Sequence, residues 1–161
     1  MKGNSDSLKL KSSSSELNKV EKLVEALADK YYLNDSYFAN IMVALTEAFN
    51  NALTHGNHND PSKQISIDFS YTDKELIFEV SDQGEGFDHL LFINTKHSEN
   101  QRGIELIQSV SDKVEFSDNG RCISIHFNVA SVNQSISQSR MSAFGQQTSA
   151  TIKQEDENKG H

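Results

Sequence analysis

The chain has 161 residues and carries 15 Lys and Arg against 23 Asp and Glu, a formal net charge of −8. A chain of this length fits one domain with a tail, hiding roughly two-thirds of its unfolded surface. An acidic surface repels phosphate backbones and anionic lipid, which argues against direct nucleic-acid or membrane partners. A nucleotide stays admissible, because backbone N–H groups and a metal ion hold phosphates without a basic surface. Cys122 is the only cysteine, so no internal disulfide can form, and its place in an alternating apolar run reads as an ordinary strand residue. Met1 to Asp6 lacks the apolar core of a signal peptide, and no apolar run nears the ~20 residues that span a bilayer. A soluble, cytoplasmic protein is expected.

Along the chain, residues 1–7 are expected to be disordered, with Leu8 and Leu10 starting a short edge strand. Ser13 followed by Glu16 fits a capping box, and Leu17, Val20, Leu23, Val24, Leu27 and Tyr31 recur at helical spacing up to about Leu33. Asn34 or Asp35 can cap a second helix running to about Thr54, with Phe38, Ile41, Met42, Leu45, Phe49, Ala52 and Leu53 on one stripe. His55-Gly56-Asn57 is expected to end it, Gly being a preferred stop.

Ile65, Ile67, Phe69 and Tyr71 alternate with polar residues, as do Leu76, Phe78 and Val80 after a turn, which predicts a hairpin. An irregular stretch from Gly84 to Gln101 leads to a short helix over 102–111, with Ile104, Ile107 and Val110 inward. Val114 and Phe116 pair with Ile123, Ile125, Phe127 and Val129 across Asn119-Gly120, a tight-turn signal. Residues 131–161 are Ser- and Gln-rich and expected to be disordered, having too little apolar surface to offset ordering entropy. Their charges cancel, three basic against three acidic, so the −8 belongs to the first 130 residues.

Three pieces carry chemistry. Opposite its apolar stripe, the second helix presents Glu47, Asn50, Asn51, Thr54 and His55, with Glu47, Asn51 and His55 one turn apart in succession. A carboxylate can accept a proton from a hydroxyl, and an amide oxygen can ligate Mg²⁺. A solvated helix face is the bland alternative, although paired Asn in mid-helix gains little from exposure alone. Next, Asp82-Gln83-Gly84-Glu85-Gly86 follows directly on a strand. Its Asp can accept a hydrogen bond from an exocyclic amine, and its glycines permit close approach and positive φ. Third, Arg102-Gly103 stands at a predicted helix start, where free N–H groups and a positive dipole end attract phosphate. His55 and His58 are spaced as a metal pair, but no Cys or carboxylate cluster supports zinc.

Taken in order, these pieces resemble the Bergerat-type (histidine-kinase-like) ATPases of histidine kinases, certain chaperones and gyrase-type topoisomerases. Glu47-x-x-x-Asn51-Ala52-x-x-His55 is similar to their N box, Asp82-x-Gly84-x-Gly86 to their G1 box, and Arg102-Gly103 to part of their G2 box. The likeness covers roughly residues 8 to 129. Within it, Leu45-Thr46-Glu47-Ala48-Phe49-Asn50-Asn51-Ala52 and Gly86-Phe87-Asp88 most resemble the bacterial anti-sigma-factor serine/threonine kinases.

The resemblance implies an α/β two-layer sandwich, a mixed, largely antiparallel sheet with helices on one face, over residues 8–130. It implies ATP and Mg²⁺ as cofactors, Glu47 as general base on a substrate hydroxyl, and Asn51 as Mg²⁺ ligand. Asp82 would accept the adenine amino group, Gly84 and Gly86 would shape the pocket, and Arg102 and Gly103 would lie near the phosphates. Residues 88–101 would form a lid, and His55 would be a helix-end residue rather than a catalyst. The implied partners are a sigma factor and a phosphorylatable anti-anti-sigma (STAS-type) protein, with room for a homodimer. Two departures stand out. Gln101-Arg102-Gly103 lacks one glycine of the G2 box, and Cys122 lies where the family often has a small hydroxylated residue. The first leaves open an alternative, a non-catalytic nucleotide-binding module that only sequesters protein partners.

Overall fold

A computed structural model describes residues 6–86 and 99–128. Residues 1–5, most of the expected lid with Phe87, Asp88, His89 and His97, and the Ser/Gln-rich tail lie outside the described residues.

The elements follow the order β1 (Asp6–Lys11), α1 (Leu17–Tyr31), α2 (Asp35–Asn51), β2 (Gln64–Tyr71), β3 (Glu75–Ser81), α3 (Glu99–Val110), β4 (Lys113–Ser117) and β5 (Cys122–Asn128). The sheet order is β1-β2-β3-β5-β4 and every pairing is antiparallel. The mixed sheet of the sequence expectation is therefore, among the described residues, a purely antiparallel one. The first strand also starts at Asp6, so residues 6 and 7 belong to the sheet rather than to a disordered end.

Alternation decides which face is buried. Leu10, Ile65, Ile67, Phe69, Leu76, Phe78, Val80, Ile125 and Phe127 point to one side and are closed off from solvent. Val20, Val24 and Leu27 of α1, Ile41, Leu45 and Phe49 of α2, and Ile107 of α3 cover them. Phe69, Phe78 and Phe127 form a cross-strand row, with centroids 5.0 and 6.0 Å apart, and Tyr31 joins it at 5.8 Å from Phe69. Each such pair adds about 0.5–1.5 kcal/mol beyond the area it buries.

Two local expectations are corrected, and one with two alternatives is resolved. The capping box does not close: Ser13 accepts from Ser15 N in a short 3-10 turn, and Glu16 reaches back to Lys11 N instead. Of the two caps expected for α2, Asn34 is the one used, accepting from Tyr37 N at 2.9 Å. The Asn-Gly turn is a four-residue link between Ser117 and Cys122, in which Asp118, Asn119 and Gly120 all have positive φ.

Candidate functional site

After Asn51, α2 widens into a π turn, Ala52–Gly56, and Asn57 N closes it on Ala52 O at 2.8 Å. Single π turns are costly and tend to mark functional positions. Gly56 is not the left-handed stop expected of it; His58 and Asn59 take the positive φ values. The glycine is needed for space. A β-carbon at 56 would overlap the carboxylate of Asp82, and one at Gly84 would overlap the carbonyl of Gly56. Gly86 needs its freedom twice over, with φ at 82° and the main chain of Asn119 pressed against its α-carbon.

These close approaches enclose a cavity of about 270 Å³, near the lower end of small-molecule sites. Its apolar walls are Ala48, Ala52, Val80, Ile104, Phe116 and Ile123. Asp82 is the carboxylate in this lining. Its Oδ1 accepts from Gly84 N at 2.9 Å. Its main-chain N–H donates to Arg121 O at 2.9 Å. Desolvation pushes the Asp82 pKa up, and the Gly84 N–H and the positive charge of Arg121 only partly offset it. A carboxylate that burial disfavours in its charged form, set in a mostly apolar cavity, is a candidate functional group.

Asn51 lines the same cavity, one turn of α2 from half-buried Glu47. Above them lies α3. Ala44 and Ala48 are small and buried on that side of α2, and a β-carbon on buried Gly103 would stand 3.1 Å from Glu47 Oε2 and 3.2 Å from Asn51 Nδ2. Glu47, Asn51 and Gly103 thus converge, as do Asp82, Gly84 and Gly86 nearby. Arg102 does not join them: α3 begins at Glu99, a turn earlier than expected, and the Arg102 side chain is exposed and outside the cavity lining.

The profile of a histidine kinase-like ATPase domain matches residues 10–127. The chain belongs to that family. No curated protein matches the sequence. Among solved structures the fold is similar to the RsbU and RsbW domains of Rv1364c from Mycobacterium tuberculosis, at a TM-score of 0.56 and 15% identity. The likeness covers 78% of this chain and 32% of that one, so the present chain spans about a third of that chain's length. At that identity the likeness shows the fold alone.

As a histidine kinase-like ATPase domain, the molecule has an ATP-binding fold, and its cavity takes in a residue left unmarked in the sequence. Arg121 lines it, held by Asp118 through its Nε at 3.1 Å to the main-chain oxygen and a terminal nitrogen at 3.0 Å to Oδ1. His55 and His58, already noted in the sequence, also belong to the lining, although both are exposed. Asn57, read only as part of a helix end, is fully buried beneath the glycine loop. Among the described residues no helix is long and apolar enough to cross a membrane.

Proposed function

We propose that the domain binds Mg·ATP with the adenine amino group on Asp82 and transfers the γ-phosphoryl group to a serine or threonine hydroxyl of a protein. The single observation that carries this reading is a desolvated carboxylate, Asp82, sharing an apolar cavity with the amide of Asn51, one helical turn from Glu47. The donor set suits the cofactor. Asn51 supplies one hard oxygen, and Mg²⁺ characteristically takes a single protein oxygen or two, with phosphates and water completing its shell. Bound there, Mg²⁺ would supply charge neutralisation on the phosphates.

Glu47 accepts the proton from the attacking hydroxyl. The hydroxyl oxygen then bonds to the γ-phosphorus as the bond to the β,γ-bridging oxygen breaks, leaving ADP and a phosphorylated protein. Asp82 and the apolar walls hold the base in register, so that positioning supplies most of the acceleration. The motif likeness to anti-sigma-factor kinases extends the reading to partners: a sigma factor that the domain sequesters and an anti-anti-sigma (STAS-type) protein that it phosphorylates.

A second reading has its own support. The close seat of Gly103 on Glu47 and Asn51, and Gln101 in place of a glycine, favour a nucleotide-binding module that sequesters partners without transfer. Calorimetric titration with ATP and Mg²⁺ beside Asp82→Asn tests the binding both share; a folded wild type that binds nothing sinks both. Glu47→Gln separates them. The kinase reading expects loss of transfer and altered cellular output, the module reading an unchanged output.

A further inference from the structure

Asn57 has 0% exposure and uses its whole amide. Its Nδ2 donates to Ser12 Oγ at 2.7 Å and to Gln64 O at 2.9 Å, and its Oδ1 accepts from Gln83 N at 2.8 Å. Gln83 in turn accepts at Oε1 from Gln64 N, at 2.7 Å. Asn57, the main chain of Gln64 and Gln83 therefore close a triangle joining the end of α2, the start of β2 and the loop after β3. A buried amide costs free energy unless fully bonded, and an apolar side chain of similar size would fill this space without that risk. What the amide adds is direction. Asn57 adjoins Gly56, the residue on which the Asp82 carboxylate rests, and Gln83 adjoins Asp82 itself. Arg121 O holds the other side of this loop through Asp82 N. Floor and wall of the cavity are thus tied to one side chain.

We infer that the Asn57–Gln64–Gln83 triangle is the positioning device that sets where the Asp82 carboxylate stands, and so governs recognition of the base. The inference rests on the reading of Asp82 as acceptor for the adenine amine. Asn57 touches no nucleotide; it acts through Asp82.

The test is calorimetric binding of ATP and of purine riboside triphosphate, which lacks the 6-amino group, with melting temperatures alongside. A hydrogen bond to a charged acceptor predicts that wild type prefers ATP by about tenfold or more. Asn57→Ala is expected to bring that preference near unity. Gln83→Ala removes one side of the triangle from an exposed residue, and is expected to lower the preference several-fold with little change in melting. Ser12→Ala, which removes the arm toward β1 together with the Ser12 Oγ donation to Lys63 O but leaves the triangle itself intact, is expected to lower the melting temperature and keep the preference. Wild-type preference retained by Gln83→Ala and by a folded Asn57→Ala overturns the inference alone. An equal loss in Ser12→Ala also overturns it, since the effect would then follow stability. If Asn57→Ala does not fold, Gln83→Ala decides by the same criterion. A folded wild type with no preference overturns the Asp82 reading together with the inference.

Discussion

Gly103 of α3 rests directly on Glu47 of α2: a β-carbon at 103 would stand 3.1 Å from Glu47 Oε2. Such a contact is tight enough to force a small retreat of a flexible carboxylate without disrupting the fold. In a helix interior Ala is favoured over Gly by about 1 kcal/mol. Gly103→Ala is therefore expected to leave the melting temperature unchanged or raised while displacing the base. Misplaced catalytic groups lose rate steeply, so phosphoryl transfer should drop about tenfold or more. Parallel melting and transfer assays check this, and a variant that loses stability with its activity intact would refute it.

Glu47 itself offers the sharper test. Glu47→Gln keeps the shape and removes the proton acceptor, and general-base catalysis is worth about 10²–10⁴-fold. Transfer should fall by that order. ATP affinity, which the proposed function assigns mainly to Asp82 and the apolar walls, should stay within about twofold, since uniform binding and transition-state interactions separate in this way. Single-turnover transfer beside calorimetric binding reads both quantities.

Most of the fold was legible because alternation and helical spacing map directly onto burial. Phe69, Phe78 and Phe127 fall on one face simply because they share the parity of their strands' inward positions. The residues that gather at the cavity were legible where they are local: Glu47 with Asn51, and Asp82 with Gly84 and Gly86. Asn57 was not, since its bonds reach 45 residues back to Ser12 and 26 forward to Gln83, and beside Gly56 it reads as a turn. Nor was Arg121, which lines the cavity directly after three residues of positive φ at 118–120. The π turn, closed by Asn57 N on Ala52 O, was not legible either, since the helical spacing of α2 runs on without a break to Leu53. Arg102 stands a turn inside α3, because the helix already starts at Glu99, a boundary that the sequence pattern did not mark.

The glycines at 56 and 84 carry a stability prediction that does not depend on ligand. A methyl group at either would overlap Asp82 or the Gly56 carbonyl. At 84 the obstacle is main chain, which cannot rotate away as a side chain can. Overpacking of this kind costs about 1–3 kcal/mol, so Gly84→Ala should lower the urea midpoint clearly. Gly56→Ala should do so less, because the Asp82 side chain can swing aside, but at the expense of ATP binding. Equal stability losses with binding intact in Gly56→Ala would show that the carboxylate position does not matter.

Asp82 ties stability and binding to pH with opposite signs. Its folded pKa lies above the ordinary aspartate value of 3.8 because burial disfavours the charged form. Below 3.8 the carboxyl is protonated in both folded and unfolded chains and no penalty exists. As pH rises above 3.8, the unfolded chain ionises first, so the native state loses stability until its own raised pKa is passed, and the penalty then stays constant. Asp82→Asn escapes this, so the ligand-free variant should be at least as stable as wild type at neutral pH, with the gap narrowing toward acid. Binding runs the other way. The ionised carboxylate is the better acceptor for an amine, so the wild-type advantage over the variant in ATP affinity should shrink as pH falls through the raised pKa. Urea midpoints and calorimetric affinities for both proteins across this acid range give the two curves. An Asp82→Asn variant that is less stable at neutral pH, yet binds ATP as wild type does, would make Asp82 a structural residue of the loop and leave the cavity without its base-recognising group.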